Sequence, residues 1–306
     1  MAVAVIAASF VVPTTGRLEL IEPLLRSIEA QSLPVEVLLM DDGGSAELAA
    51  LVQRDFPRVR YYHLGTRRGP AFQRNRGIEL ASSEFVFPID DDTLLPSTQT
   101  VAQTLREFDD PRIAAVAIPY VNVRLDASVR QAAPDRSGIW VVHAFVGAAH
   151  AVRRSSFLAA GGYREHFFYM GEEGELSLRW LSKGLIVRAG VADPIEHLES
   201  PLRNTALADY HGRRNDILFA WHHVPRGVLA VHLAGTTLNA VRTAWRVGRG
   251  WHMLRGTLAG YADCARRSDE RDPVTPALYR LHRRLKRHGP LPLSAIQSDL
   301  PPCSPC

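Results

Sequence analysis

Three consecutive aspartates, Asp90, Asp91 and Asp92, follow the apolar segment EFVF. Adjacent carboxylates repel one another, so they are unfavourable at the end of a buried strand unless a cation lies between them. Alternate side chains of an extended chain point to opposite sides, which puts Asp90 and Asp92 on one side and Asp91 on the other. Two carboxylates on one side suit Mg²⁺ or Mn²⁺, because these ions prefer oxygen ligands and leave positions open for phosphate groups.

The polar segments also have purely structural interpretations. The aspartates fit a solvated acidic turn, in which Asp92 or Thr93 caps a helix that begins near Pro96. In MDDGGS, Asp42 at a strand end suits contact with a nucleotide base or ribose, and it equally suits an Asp-Gly turn. TRRGPAFQRNRG holds four arginines within ten residues. Guanidinium groups match phosphate geometry, whereas an exposed basic helix face has the same composition.

A third acidic segment, GEEGELSLRW, opens a predicted helix with Glu172, Glu173 and Glu175. Acids in a first helical turn are favoured by the helix dipole, and Glu175 can pair with Arg179 one turn later. A carboxylate at this position also suits the general base that a sugar-transfer reaction requires.

The elements that must position these residues alternate along the first 95 positions. VAVIAASFVV, VEVLLM, VRYYHL and EFVFPI predict strands, and the segments between them have helical spacing. Such alternation indicates a parallel sheet with helices on its faces, where ligands bind beyond the carboxyl ends of the strands. PTTGR, DDGGS and DDDT follow three of these strands and are therefore expected to line one crevice.

Composition narrows the class of protein. Apolar residues make up 46% and charged residues 22% of the 306 positions, which is typical of a globular protein. Three cysteines do not form a disulfide framework, and the N-terminus lacks the positive flank of a signal peptide. The longest uncharged stretches are too short to span a bilayer. We expect a cytoplasmic protein.

The charges are unevenly distributed. Residues 203–288 hold 16 Lys and Arg against 6 Asp and Glu, whereas residues 1–202 hold 20 against 25. Beyond Pro225 the pattern is helical, with arginines and tryptophans between apolar residues. We expect these helices to cover the core or form a homodimer contact; the alternative is peripheral contact with the inner face of an anionic membrane. No nucleic-acid-binding motif is present, so we expect no nucleic-acid partner.

Taken in order, FVVPTTGR, VEVLLMDDGGS, GPAFQRNRG, FVFPIDDDTLLP and GGYREHFFYMGEEGELSLRW resemble the successive motifs of the family-two inverting glycosyltransferases. The resemblance covers about residues 3–220. It implies a GT-A fold, which is an α/β architecture with a mostly parallel sheet flanked by helices. Residues 1–224 would form this domain, 1–95 as the nucleotide-sugar half and 96–224 as the acceptor half. A basic helical extension (225–288) and a disordered tail (289–306) would follow.

The family resemblance implies transfer of a sugar from a UDP-, dTDP- or GDP-sugar to an acceptor hydroxyl, by a single displacement assisted by Mn²⁺ or Mg²⁺. It also assigns a group of residues to the nucleotide sugar. These are Pro13, Thr14, Thr15, Asp42, Gly69, Arg74, Asn75, Asp90 and Asp91.

The same resemblance implies the metal ligands and the catalytic base. Asp90 and Asp92 match the two acids of the DxD motif, and His197 in IEHLES is a third candidate ligand of the metal or diphosphate. Glu173 stands where the family usually has a catalytic aspartate, with Glu172 as the alternative base. Glutamate is one methylene longer, which would shift the base by about 1 Å.

Two other functions fit part of the pattern. A nucleotidyltransferase that makes nucleotide sugars would share the sheet, but it usually carries a long Gly-rich basic loop after strand one, unlike PTTGRLEL. A nucleotide-sugar- or carbohydrate-binding protein without catalysis would keep the sheet, and the presence of Asp90, Asp92 and Glu173 argues against it.

Overall fold

The computed structural model describes residues 5–65, 67–199 and 205–303. Within these ranges the strands form one large sheet and one small sheet, and helices cover the large sheet. The strands are β1 (Ala8–Thr14), β2 (Val35–Asp41), β3 (Arg60–His63), β4 (Phe85–Phe87), β5 (Thr93–Leu94), β6 (Ile113–Ala117), β7 (Tyr120–Asn122), β8 (Val129–Arg130), β9 (Trp140–Val142), β10 (His150–Arg153), β11 (Ile186–Ala189), β12 (Ile195–His197) and β13 (Leu291–Pro292). The helices are α1 (Leu18–Glu29), α2 (Ala46–Asp55), α3 (Pro70–Leu80), α4 (Thr100–Arg106), α5 (Arg154–Ala159), α6 (Glu172–Ser182), α7 (Thr205–His223), α8 (Arg226–Val247), α9 (Gly250–Arg266) and α10 (Pro276–His288).

The large sheet has the order β13-β9-β11-β6-β10-β4-β1-β2-β3. From β4 to β3 the neighbours are parallel, and β10 then pairs antiparallel with both β4 and β6. Thr14 lies opposite Asp41 in the β1–β2 register, so the polar ends of these strands meet at one edge. The predicted α/β fold is confirmed, including its parallel first half.

The core follows from the apolar periodicity. All of β1 is buried, as expected for a central strand with helices on both faces. Helix α1 buries Ile21, Leu24, Leu25 and Ile28, which recur at the helical spacing seen in the sequence. Full burial of each such side chain contributes about 1.5–3 kcal/mol. These contacts fix the sheet edge at which the polar residues lie.

The small sheet has the order β5-β12-β7-β8 and begins directly after the three aspartates. Strand β5 pairs antiparallel with β12, in a register that sets Thr93 opposite His197. This pairing carries His197 to the aspartates from a distant part of the sequence. The next helix, α4, begins only at Thr100, so neither Asp92 nor Thr93 caps a helix.

The predicted basic extension consists of α8, α9 and α10. Helix α9 packs closely on α7, because a Cβ at Gly256 would lie 2.1 Å from the carbonyl oxygen of Tyr210. Helix α10 buries Leu278, Leu281 and Leu285 in the main core. Among the described residues, no helix has both the length and the apolarity that crossing a bilayer requires.

The prediction of a disordered tail from 289 to 306 is wrong for its described part, 289–303. Leu291 and Pro292 form β13 at the edge of the large sheet, where the missing N–H of proline is tolerated. Ile296 is fully buried in the main core. The apolar residues between the prolines therefore contribute enough burial to order the segment.

Candidate active site

Asp91 is held inside the protein, apart from its two neighbours. Its carboxylate accepts a hydrogen bond from Thr14 Oγ1 at 2.6 Å and from Arg17 Nε at 3.3 Å, and Arg17 Nη2 forms an ion pair with it. Burial raises the pKa of Asp91, although Arg17 and Thr14 oppose the increase. Asp91 thus joins the aspartate segment to the end of β1. Arg17 was not among the predicted site residues, although it follows directly after PTTG.

Asp90, Asp92 and His197 meet on the other side, with one potential ligand atom of each within 4.8 Å of the others. Asp92 Oδ1 lies 3.3 Å from His197 Nε2. This oxygen is buried and accepts no well-formed hydrogen bond from any described residue. Two carboxylates and an imidazole, with one carboxylate oxygen lacking such a bond, fit a divalent ion such as Mn²⁺.

The electrostatics of this cluster depend on its mutual contacts. Burial alone would raise the pKa of Asp92, but His197 and Arg17 bring it below its usual value. Burial alone would lower the pKa of His197, but Asp92 and then Asp90 raise it. The cluster therefore favours a charged Asp92 and attracts a positive charge.

Arg74 is the arginine of the basic segment that enters the site. It lies on the buried face of α3 and forms an ion pair with Asp90. Its Nη1 is 3.6 Å from Glu172 Oε1. Arg67 is exposed, and Arg68 instead lies over the Phe72 ring and pairs with Glu165. The helix thus brings one fixed positive charge between two groups of carboxylates.

Glu172 and Glu173 begin α6, and Glu172 is the second carboxylate that faces Arg74. Glu172 is buried, and its Oε2 has no hydrogen-bond partner in the part of the chain that the structure describes. Burial, and then repulsion by Glu173, raise the pKa of Glu172 to about 8. Burial also raises the pKa of Glu173, while Arg74 and the backbone of Gly147 oppose the increase. Glu173 is only half-buried.

The space for these side chains depends on Gly147, in the loop between β9 and β10. A Cβ at this position would lie 2.7 Å from Glu173 Oε1 and 2.9 Å from Arg74 Nη2. Any larger residue would therefore displace one of the two groups. Sequence reasoning missed Gly147, because one small residue in an apolar stretch carries no distinguishing pattern.

Asp42 caps the start of α3 instead of presenting a free carboxylate. Its Oδ1 accepts from the Arg68 N–H at 2.9 Å and from Gln73 Nε2 at 2.6 Å, and its Oδ2 accepts from the Gly69 N–H at 3.0 Å. Asp41 binds the backbone at the start of α2 in a similar way. Asp41 therefore makes the Asp-Gly turn of this segment, whereas Asp42 binds the start of α3, and the nucleoside contact of Asp42 stays a prediction.

Comparison with known proteins identifies the architecture. Residues 9–158 match Glycosyl transferase family 2. These residues form a glycosyltransferase family 2 domain. The GalNAc(5)-diNAcBac-PP-undecaprenol beta-1,3-glucosyltransferase of Campylobacter jejuni is 35% identical over 94 residues, which are 29% of this chain and 30% of that protein. The uncharacterized glycosyltransferase YibD of Escherichia coli is 32% identical over 84 residues, which are 26% of this chain and 24% of that protein. The matches thus span less than a third of either relative.

Solved structures support the same fold. The mannosyltransferase PcManGT from Pyrobaculum calidifontis, in complex with GDP-Man and Mn²⁺, is 18% identical with a TM-score of 0.56, covering 90% of this chain and 81% of that one. TarS 1-349 of S. aureus, in complex with UDP, is 17% identical with a TM-score of 0.55, covering 74% and 65%. The fold is therefore GT-A, as predicted.

The remaining predicted residues of the family 2 domain occupy different positions around the crevice. Pro13 is buried in β1, and Thr15 is exposed just beyond it. Gly69 precedes α3, and the Phe168 ring lies against it. Asn75 is turned away: its amide group binds both the N–H and the carbonyl of Tyr163, each at 2.8 Å. Asn75 therefore positions the loop that leads to α6.

That loop, residues 163–171, carries four aromatic side chains. Tyr163 and Phe167 are buried in the core, whereas Phe168 is exposed. Asn215 of α7 donates to the carbonyl oxygens of Tyr169 and Met170, at 3.0 and 2.7 Å. Helix α7 thus holds the turn directly before Glu172 and Glu173.

Proposed function

We propose that this chain is an inverting glycosyltransferase that moves a sugar from a nucleoside-diphosphate sugar to an acceptor hydroxyl. One observation carries the proposal: Asp90, Asp92 and His197 converge, and Arg74 contacts both Asp90 of this cluster and Glu172, the neighbour of Glu173. This arrangement offers a cation site for a diphosphate and a carboxylate base within a single crevice. The family 2 domain and the GT-A fold support this choice of chemistry.

Asp90, Asp92 and His197 would hold a divalent ion, for which the buried Asp92 Oδ1 offers an acceptor. When bound, the ion would supply positive charge that stabilises the diphosphate. The solved neighbours crystallised with GDP-Man and Mn²⁺, and with UDP, support a nucleotide-sugar donor and Mn²⁺ for this chain. UDP-sugars and GDP-sugars are therefore the donors to assay first, and dTDP-sugars follow.

Arg74 would stabilise negative charge on the departing nucleoside diphosphate. It is buried, so its positive charge is weakly screened and held in place before the reaction. Its ion pair with Asp90 connects it to the cation site.

Glu173 is the proposed general base, because it is the more accessible of the two glutamates. It would remove the proton of the acceptor hydroxyl. The hydroxyl oxygen then bonds to the anomeric carbon from the face opposite the diphosphate, whose bond breaks. The configuration is inverted. Glu172, with a pKa of about 8, is largely protonated at neutral pH and is unsuited to this step.

The proposed acceptor is a hydroxyl-bearing molecule. The name of the Campylobacter relative describes a sugar chain linked through diphosphate to undecaprenol. We therefore propose to assay a polyprenyl-diphosphate-linked sugar before polysaccharide, protein or small-molecule acceptors.

Donor binding tests the proposal first. Isothermal titration calorimetry with UDP, GDP and dTDP, with and without Mn²⁺, should show metal-dependent binding of one nucleotide. Asp92→Ala should abolish that binding, whereas Asp55→Ala, which removes an exposed carboxylate at the end of α2, should leave it unchanged. Absence of binding by all three nucleotides would overturn the assignment.

Turnover separates the proposed activity from its two alternatives. We expect the chain to release nucleoside diphosphate from the matching nucleotide sugar and to form a product of inverted anomeric configuration. Binding without release would indicate a nucleotide-sugar-binding protein. Release of inorganic diphosphate from a nucleoside triphosphate and a sugar phosphate would indicate a nucleotidyltransferase.

A further inference from the structure

The α8–α9 helical hairpin exposes an unusual amount of apolar surface. Trp245 and Trp251 are 88% and 65% exposed. Along α8, Val231, Leu238, Val241 and Trp245 recur at helical spacing, so they form a stripe on one side of the helix. Helix α9 exposes Trp251, Leu254, Leu258 and Tyr261 at the same kind of spacing. Among the described residues, α8 buries only Ala240, so its apolar stripe faces outward.

The charges of this hairpin are almost all positive, since its one acid, Asp263 near the end of α9, pairs with Arg214 and Arg266. No Asp or Glu occurs from Ile217 to Ala262, a stretch that carries five arginines. Arg249 pairs with Asp209 of α7. Such a segment is attracted to an anionic surface, and each arginine adds to the attraction.

A groove with further cations lies beside the apolar stripe. It has a volume of about 1030 Å³ and lies between α7, α8 and α10. Arg283, Lys286 and Arg287 line it from α10, and no carboxylate pairs with these three among the described residues. The one acid in its lining, Asp216, pairs with Arg213 at 3.2 Å.

We propose that the α8–α9 hairpin docks on an anionic lipid bilayer. Its tryptophans and aliphatic side chains enter the boundary of the hydrocarbon, and its arginines contact lipid phosphates. The cations of the adjacent groove bind lipid headgroup phosphates. Tryptophan is favoured at this boundary, where its ring is partly apolar and its N–H remains near water. A helix with an apolar stripe and arginines on its polar side binds in the plane of the interface and does not cross it.

The charges favour a bilayer over a second copy of the chain. Two hairpins packed against each other would bring twelve arginines together with two carboxylates, because each copy contributes only Asp263, which already pairs with Arg214 and Arg266. Like charges facing each other across an interface are unfavourable, whereas phosphate headgroups are complementary to them. The homodimer expected from the sequence is therefore the less favourable occupant of this surface.

Sedimentation of the full-length chain with lipid vesicles tests the proposal. The chain should bind vesicles of phosphatidylcholine mixed with phosphatidylglycerol and should bind pure phosphatidylcholine much more weakly. Added NaCl should weaken the binding, because salt screens the charges. Trp245→Ser combined with Trp251→Ser should lower the vesicle affinity at least about tenfold, as expected when two buried rings are lost. The matched control is Val129→Ser, which removes an exposed apolar side chain from β8.

The groove is tested separately by Lys286→Ser combined with Arg287→Ser, with Arg54→Ser as the exposed control. The double variant should weaken binding to the anionic vesicles and leave binding to pure phosphatidylcholine unchanged. Equal binding of wild type and the tryptophan variant would overturn the proposal. The proposal would also be overturned if the wild-type chain formed a dimer in the absence of vesicles. The tryptophan variant should bind nucleotide as wild type does. Failure of the membrane proposal is therefore distinguishable from failure of the proposed function.

Discussion

Two glutamates in the first turn of α6, Glu172 and Glu175, are both buried, but their pKa values are shifted in opposite directions. Glu172 faces Arg74 at 3.6 Å, has one oxygen without a described hydrogen-bond partner, and has a pKa raised to about 8. Glu175 accepts from Arg179 and contacts Arg164 and His223, at 2.7–2.9 Å. Burial would raise its pKa too, but these three partners bring it well below the usual value.

The difference shows that burial does not decide the ionisation of a carboxylate by itself. The number and charge of its partners decide it. Glu175 joins α6, α7 and the loop 163–171, and its partners satisfy it completely. Glu172 and its neighbour Glu173 share one arginine, which also pairs with Asp90. Chemistry is therefore expected on the incompletely paired side, and stability on the fully paired side.

The largest effect is expected from Glu173→Gln. Loss of the base should lower kcat by about 10²–10⁴-fold, because proton transfer from the acceptor loses its catalyst. The dissociation constant of the nucleotide should stay unchanged, since glutamine preserves the size of the side chain. Steady-state kinetics and calorimetry measure the two quantities. If Glu172→Gln caused the larger loss of kcat, the assignment of the two glutamates would be reversed.

Glu175→Gln should act on stability instead. It leaves the partly buried Arg164 and Arg179 without their fully buried carboxylate, so the free energy of unfolding should fall by about 3 kcal/mol. The kcat of the folded fraction should remain near that of wild type. Urea unfolding gives the first quantity. Glu79→Gln, at an exposed pair with Arg76, is the control and should change stability by less than about 1 kcal/mol. A similar loss in both variants would contradict the comparison.

A pH dependence of opposite sign distinguishes the stability contributions of Glu172 and Glu175. The pKa of Glu172 is about 8 in the folded protein and about 4.3 in the unfolded chain. Between these two pH values the folded protein keeps a proton that the unfolded chain releases. Stability therefore falls as the pH rises through this range, by up to about 1.4 kcal/mol per pH unit. Glu172→Gln should remove that fall and make the protein more stable than wild type at pH 8.

Glu175 has a lowered pKa, so its contribution is present above the pKa of the unfolded chain and is lost only in acid. The deficit of Glu175→Gln should thus stay constant from pH 5 to pH 8. Urea unfolding at several pH values, without nucleotide or metal, compares the two variants. A deficit of Glu175→Gln that grew as the pH fell from 8 to 5 would contradict this assignment.

Much of this arrangement was predictable from local patterns. The position of the aspartates after β4 follows from strand periodicity, and the split between Asp91 and its neighbours follows from side-chain alternation. Long-range contacts were less accessible. The pairing of Asp91 with Arg17 depends on β1 and β4 being neighbours in the sheet. Asn75 matched a family motif, yet its amide binds the backbone of a distant loop. The ordered tail depends on an edge of the sheet that no local pattern reveals.

Gly147 has a consequence for how related sequences can diverge. Its backbone conformation is not one reserved for glycine; the restriction comes from Glu173 and Arg74, which occupy the place of a side chain. An aspartate in place of Glu173 would be one methylene shorter and would remove the closer of these two contacts. Arg74 would still lie 2.9 Å from a Cβ at 147, but only the end of that side chain would have to shift. We therefore expect the two positions to covary: relatives with the shorter acid can carry alanine at 147, and those with glutamate keep glycine. The length of the base and the size of its neighbour are then inherited together.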